Sequence, residues 1–323
     1  MRFNKPLAAL SAAAVLGLAA CGGGSSENSS ADNSGDIDVE SLGNIGDAKD
    51  PEREGPVTID GAQEGGIVHV RDQIYLTTTL DPTEAYYTDS GSLLTNLVVR
   101  SLTQYSYDEK TKNMVLVPDL ATDLGTPNKD YTEWKFTIRD GVKYENGDPV
   151  TAEDVGFAID RSFDRTTFPT GAAYSNQYFL NGDKYKGPYT DKKMDSCECY
   201  EIDGSTITIK MSQPFPDMPY WGAFPAMSAI PKDASDPEQY RRHPLATGPY
   251  MFDKYTPAKS LTLVRNDQWD TNTDPARTQY PDGWDFQTQV PLQKVDQILL
   301  ADSGEGQTTM TREDVLAQDY RKF

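Results

Sequence analysis

The chain has 323 residues, with 30 Lys and Arg against 50 Asp and Glu and a formal net charge of −20. That length allows one large domain or two ordinary ones around a real hydrophobic core, while the acidity excludes nucleic acid, whose phosphates need a basic surface. Mean hydropathy is −0.62, and no apolar run reaches the roughly 20 residues that cross a bilayer, so the chain is not itself an integral membrane transporter.

Residues 1–20 stand apart. Arg2 and Lys5 supply a positive start, and Leu7 to Ala20 is a Leu, Ala and Val run interrupted only by Ser11 and Gly17. A short apolar stretch with basic residues before it and small residues at its end reads as an export signal. Leu18-Ala19-Ala20-Cys21 resembles the bacterial lipobox, which implies cleavage before Cys21 and a diacylglyceryl group on its sulfur. Residues 21–60 are rich in Gly, Ser, Asn and Asp and lack an apolar period, so they read as a flexible tether.

Strand patterns follow at 66–70, 134–139, 206–211, 248–252, 261–265 and 295–300; Trp134 to Arg139 alternates apolar and polar without error. A helical face is expected from Leu93, Leu94, Leu97, Val98 and Leu102, opened by Asp89 or Ser90. A second helix carries Val155, Ala158, Ile159, Ser162 and Phe163 at helical spacing, with Thr151 and Asp154 placed as a capping box. Asp140-Gly141 and Asn146-Gly147 are tight-turn pairs. Cys197 and Cys199 share one face of an extended segment, with Cα atoms roughly 6.6 Å apart, near the upper limit for a bridge. They read as surface thiols, bridged or free, without catalytic duty. The mixture of strands and helices with long Pro-rich connections gives an α/β fold class.

Catalytic patterns are missing. The two histidines, His69 and His243, are too few for a His-rich metal site or an HExxH helix, and no GxSxG elbow, Walker A loop or GxGxxG turn occurs. Asp270, Asn272 and Asp274 imitate the opening of a calcium loop, but Pro275 and Pro281 occupy the positions that need Gly and the bidentate Glu. The reading is no enzyme, no cofactor and no metal.

A set of short motifs carries a family signature. In order these are Leu80-Asp81-Pro82, Val117-Pro118-Asp119-Leu120-Ala121 and the stretch from Phe136 through Arg139-Asp140-Gly141-Val142-Lys143-Tyr144. Asn146-Gly147-Asp148-Pro149-Val150-Thr151-Ala152-Glu153-Asp154-Val155 continues directly, followed by Ala229-Ile230-Pro231-Lys232 and Thr247-Gly248-Pro249-Tyr250. Behind a lipobox, this order resembles the family 5 extracellular solute-binding proteins, the peptide-binding lipoproteins of ABC importers, over about residues 65–320.

The resemblance implies a periplasmic-binding-protein-like type II fold: two α/β lobes around a hinge, enclosing a ligand as they close. Family members are longer, so the expected layout is a first lobe at 61–300, largely complete, with an inserted subdomain at about 103–240. Residues 301–323 would be the hinge exit and a stub of a mostly missing second lobe, with Thr311 opening a helix that carries Val315, Leu316 and Tyr320. The first-lobe residues expected to face the cleft are Thr77, Thr78, Tyr86, Tyr144 and Thr247. The implied protein is a monomer, lipid-anchored outside the cell membrane, that hands a peptide or similar small solute to a permease powered by separate ATPase subunits. The alternative reading is a truncated surface lipoprotein that binds a partner without transport. Peptides, nickel chelates and oligosaccharides are all ligands within such a family.

Overall fold

The structure, a computed structural model, describes residues 48–74, 79–234 and 236–323. The expected export signal, Cys21, Thr77 and Thr78 lie outside the described residues.

β1 (Ile67–Arg71) runs from exposed to buried positions. α1 (Thr88–Leu93) passes into a π-helical stretch, Leu94–Val98. The helix expected through Leu102 therefore stops early: Val99 is extended, and Leu102 is buried from a non-helical segment. β2 (Thr103–Asp108) and β3 (Asn113–Pro118) form an antiparallel hairpin. β4 (Thr126–Pro127) and β5 (Glu133–Thr137) precede α2 (Ala152–Ser162), whose Thr151 and Asp154 form the expected capping box. Gly141 and Gly147 have φ of +81° and +91°, a left-handed backbone that suits glycine in the two expected turns.

α3 (Tyr174–Tyr178), β6 (Tyr200–Asp203), β7 (Thr206–Lys210) and α4 (Met218–Trp221) follow. Next come α5 (Pro237–Tyr240), β8 (Tyr250–Thr256), β9 (Ser260–Arg265) and β10 (Gly283–Gln287). The chain ends with α6 (Leu292–Ala301) and β11 (Thr309–Met310). The stretch 295–300, expected as a strand, is thus helical: Leu292, Val295 and Leu299 recur at helical spacing, and only Val295 of the three is fully buried.

Sheet order is β11-β1-β10-β9-β8 for the largest sheet, with β1 parallel to both neighbours and the other pairs antiparallel. A four-stranded antiparallel sheet has the order β4-β5-β7-β6. Each sheet has its own core. Phe136, Ile207 and Ile209 pack with Val155 and Ile159 of α2 and with Phe163 just beyond it, in a cluster of buried residues drawn wholly from Leu102 to Ala229. Val70, Leu94, Val98, Leu261, Leu263 and Phe286 form the other, drawn wholly from outside that span.

Three sequence expectations change on packing. The last part of the expected free tether, from Ala48 on, is bound to the body: the Leu116 N–H donates to Ala48 O at 3.0 Å, and the Asp50 N–H to Leu116 O at 2.9 Å. An open strand edge attracts just such a pairing. Arg53 then reaches Asp50 and Asp108, and Glu54 reaches Arg139. Cys197 and Cys199 are not on the surface; they form a disulfide with both residues fully buried, and the Cα atoms are 5.0 Å apart. Finally, Thr311 opens no helix. Its hydroxyl and the Arg312 N–H and Nε–H turn to Asp72, while Glu313 accepts the N–H groups of Gln73 and Ile74. The 311–313 groups that would begin a helix are spent on the loop after β1.

Candidate functional site

Leu80-Asp81-Pro82 begins the construction of the site. Asp81 is fully buried; its carboxylate accepts the Thr83 N–H at 2.8 Å and the Arg161 Nη2–H at 2.7 Å. Its carbonyl accepts the N–H groups of Glu84 and Ala85. Arg161, from α2, lies over the Phe168 ring at 4.6 Å and the Tyr240 ring at 5.0 Å. Burial, the largest single influence, works against its charge, but Asp81 together with Tyr189 and Tyr240 holds the guanidinium above its ordinary pKa. The motif thus fixes a turn whose exit delivers Tyr86 and Tyr87 to solvent, 46% and 63% exposed.

A second buried network holds the neighbouring wall. Arg100 donates to Asp119 at 2.7 Å, and Arg277 donates to Asp119 at 2.7 Å and to Asp274 at 3.1 Å. Burial pushes the Asp274 carboxyl upward, but Arg277 and Arg100 outweigh it and leave it well below the ordinary carboxylate range. Asp274, the third residue of the calcium-like opening, is therefore an ion-pair partner. Among the described residues no group of three or more His, Cys, Asp or Glu is placed to hold a metal.

Between these supports lies a groove of about 700 Å³ bounded by α1, the β2–β3 hairpin and the 220–225 segment. Its aromatic members are Tyr86, Tyr87, Tyr105, Tyr220 and Phe224, and none of its lining side chains is charged. Tyr86 stacks near-parallel on Phe224 with centroids 6.1 Å apart, and its hydroxyl lies 3.4 Å from that of Tyr174. That hydroxyl contact with Tyr86 raises the pKa of Tyr174, and burial raises that of Tyr105. Gln104 is committed to the frame, donating to Thr95 O and accepting the Tyr105 N–H. Ser92 and Asn96 are exposed along the same wall. The rings continue outward through Trp221, Tyr174, Tyr178 and Phe215, with neighbouring centroids 4.6 to 6.1 Å apart. On the other side of α1, a second hollow of about 450 Å³ is lined by Leu93, Leu97, Trp284, Phe286 and Met310, with Asp89 and Arg312 at its edge. An uncharged aromatic concavity with a few polar groups, such as the larger groove, is the kind of surface that holds small organic ligands.

Of the residues expected to face a cleft, Tyr86 lines this groove. Tyr144 and Thr247 do not reach it, and each is 1% exposed. Tyr144 belongs to the core beside α2, where burial holds its phenol well above the ordinary range. The Thr247 hydroxyl accepts the Arg100 N–H at 2.8 Å, so it joins two segments and presents nothing to a ligand. Tyr105, Tyr220 and Phe224 were not anticipated. For Tyr220 and Phe224 a signal was present in the 215–225 stretch, where Phe215, Tyr220, Trp221 and Phe224 crowd among prolines just where Pro214-Phe215-Pro216 reads as a Pro-rich connection.

Comparison with known proteins meets this geometry. The family described as bacterial extracellular solute-binding proteins, family 5 Middle, matches residues 115–309. The chain belongs to this family. The oligopeptide-binding protein OppA of Bacillus subtilis is 27% identical over 180 residues, covering 54% of this chain and 29% of that protein. The dipeptide-binding protein DppE of the same organism is 26% identical over 206 residues, covering 61% of this chain and 35% of its own. Among solved structures, clavulanic acid biosynthesis oligopeptide binding protein 2 superposes with a TM-score of 0.68 at 27% identity, covering 78% of this chain and 46% of that one. The Escherichia coli murein tripeptide binding protein MppA shares the fold, with a TM-score of 0.62 at 20% identity over 82% of this chain and 48% of that one. The mixed α/β architecture is therefore that of the periplasmic binding proteins. The chain spans about a third of the length of these curated relatives and under half that of these solved chains.

Proposed function

We propose that this chain is the extracytoplasmic receptor of an ABC importer, that its cargo is an oligopeptide or dipeptide, and that it binds this cargo without transforming it. The observation that carries the reading is the family match over 115–309, a span that includes the Tyr220 and Phe224 wall of the groove. The names of its relatives supply the cargo class, and the groove supplies aromatic surface of the kind a small organic ligand uses. Thr77 and Thr78, between β1 and the Asp81 turn in sequence, complete the proposed contact set with Tyr86. The receptor acts as a monomer, moored through a lipid on Cys21, and passes cargo to a membrane permease driven by separate ATPase subunits.

Calorimetry of the full chain against a mixed pool of short peptides tests the cargo. Saturable heat that weakens in Tyr86→Ala supports the reading. No heat with any peptide, or turnover of a peptide by the chain, ends it. Feeding cells a labelled fatty acid tests the mooring separately: label should enter the wild-type chain and be absent from Cys21→Ala.

A further inference from the structure

Resting on the peptide reading above, we infer that the aromatic groove is a subsite for a cationic group, so that the receptor favours cargo carrying Lys or Arg. The chain carries a formal charge of −20, whereas the groove lining has no charged side chain. Long-range attraction therefore concentrates cations around the body, and within the groove the negative ring faces are what a cation meets at contact distance. The fold already makes such contacts with its own cations. Lys49 Nζ lies 4.6 Å from the centroid of Tyr220, a ring of the groove wall, and the buried Arg161 guanidinium rests on Phe168 and Tyr240. Among the described residues no cation of the chain lies over Tyr86 or Phe224. This stacked pair lines the groove of about 700 Å³, and Tyr86 is 46% exposed.

A partly desolvated ammonium over such rings gains enough for a preference of about 5- to 30-fold over a neutral isostere. The probes are Ala-Lys-Ala, the same tripeptide with norleucine in place of lysine, Ala-Glu-Ala, and tetramethylammonium alone. Each is titrated into the full chain at low and at high salt, with Phe224→Leu and Tyr86→Leu alongside. These variants keep apolar bulk and net charge but remove a ring, and a thermal melt checks that each is folded. The expected result is the lysine peptide bound about 5- to 30-fold more tightly than its norleucine partner, an advantage that survives high salt and falls to about twofold or less in the Leu variants.

Equal affinity for the two peptides overturns the cationic subsite and leaves the receptor reading standing. An advantage that persists in both Leu variants also overturns it, because bulk charge would then be the cause. If tetramethylammonium binds with dependence on Phe224 while no peptide binds, the subsite stands and the peptide reading falls. If neither binds, both fall.

Discussion

The two buried ion networks and the aromatic groove sit on neighbouring parts of the same frame, and they use polar chemistry in opposite ways. In the network of Arg100, Asp119, Asp274 and Arg277, every side chain is at most 3% exposed and answers an opposite charge. In the groove Tyr86 and Tyr87 are largely exposed. A buried charge without its partner costs several kcal/mol, whereas an exposed ring costs little to change. Motif residues such as Asp81 and Asp119 therefore determine shape, and recognition falls to side chains whose identity the fold does not demand.

The largest effect should come from breaking a network. Asp119→Ala leaves both Arg100 and Arg277 short of a carboxylate, and we expect a loss of about 3–5 kcal/mol in urea unfolding. Asp81→Ala strands Arg161, although the rings of Phe168 and Tyr240 remain against it; a loss of about 3 kcal/mol is expected. If either substitution shifts stability by less than about 1 kcal/mol, the networks are not what holds the groove walls, since an ordinary surface change has that size.

A subtler test uses a carboxylate that is hydrogen-bonded but, among the described residues, forms no salt bridge. Asp160 accepts the Cys197 N–H at 2.7 Å and the Tyr200 hydroxyl at 2.8 Å, and burial pushes its carboxyl up to about 6. The folded state then holds a proton that the unfolded chain has released, so stability is fullest below about pH 4 and falls as pH rises through about 6. Asp274, with its carboxyl lowered, works the other way: its contribution is present above about pH 4 and is lost at lower pH. Asp160→Asn keeps an acceptor for Cys197 and removes the charge, so at pH 7 we expect a gain of up to about 3 kcal/mol. Thermal melts across pH 4 to 7 should show a falling wild-type curve and a flatter variant.

These results explain how far the sequence could be read. Alternation and capping are local, so β5, β7 and α2 were legible from Trp134 to Arg139, Thr206 to Met211 and the Thr151–Asp154 box. The helicity of 295–300 was not, because a short apolar run is compatible with either period. Tyr86, expected to face a cleft, lines the groove. Tyr144 and Thr247 were misplaced because hydroxyls and rings serve a core as readily as a cleft, and only tertiary packing decides. Phe224 stacks on Tyr86 from a distant part of the chain, a convergence that no local pattern encodes.

The groove itself should tolerate change. Phe224→Leu exchanges one apolar side chain for another, and we expect a stability loss of about 1 kcal/mol, well under that of Asp119→Ala, while binding responds more strongly. The smallest expected effect lies at His243, whose ring hydrogen-bonds Glu145; that bond, more than burial opposes it, raises the imidazole above its ordinary value. Its contribution is present below about pH 6.5 and lost as pH rises through the raised value. The side chain is 46% exposed, so solvent screens the pair and the contribution is only a few tenths of a kcal/mol. His243→Gln should therefore lower the melting temperature slightly at pH 6 and leave it nearly unchanged at pH 8. Equal losses at both values would show that Glu145 gains nothing from the ring's charge, because a neutral side chain would then replace it no less well at either pH.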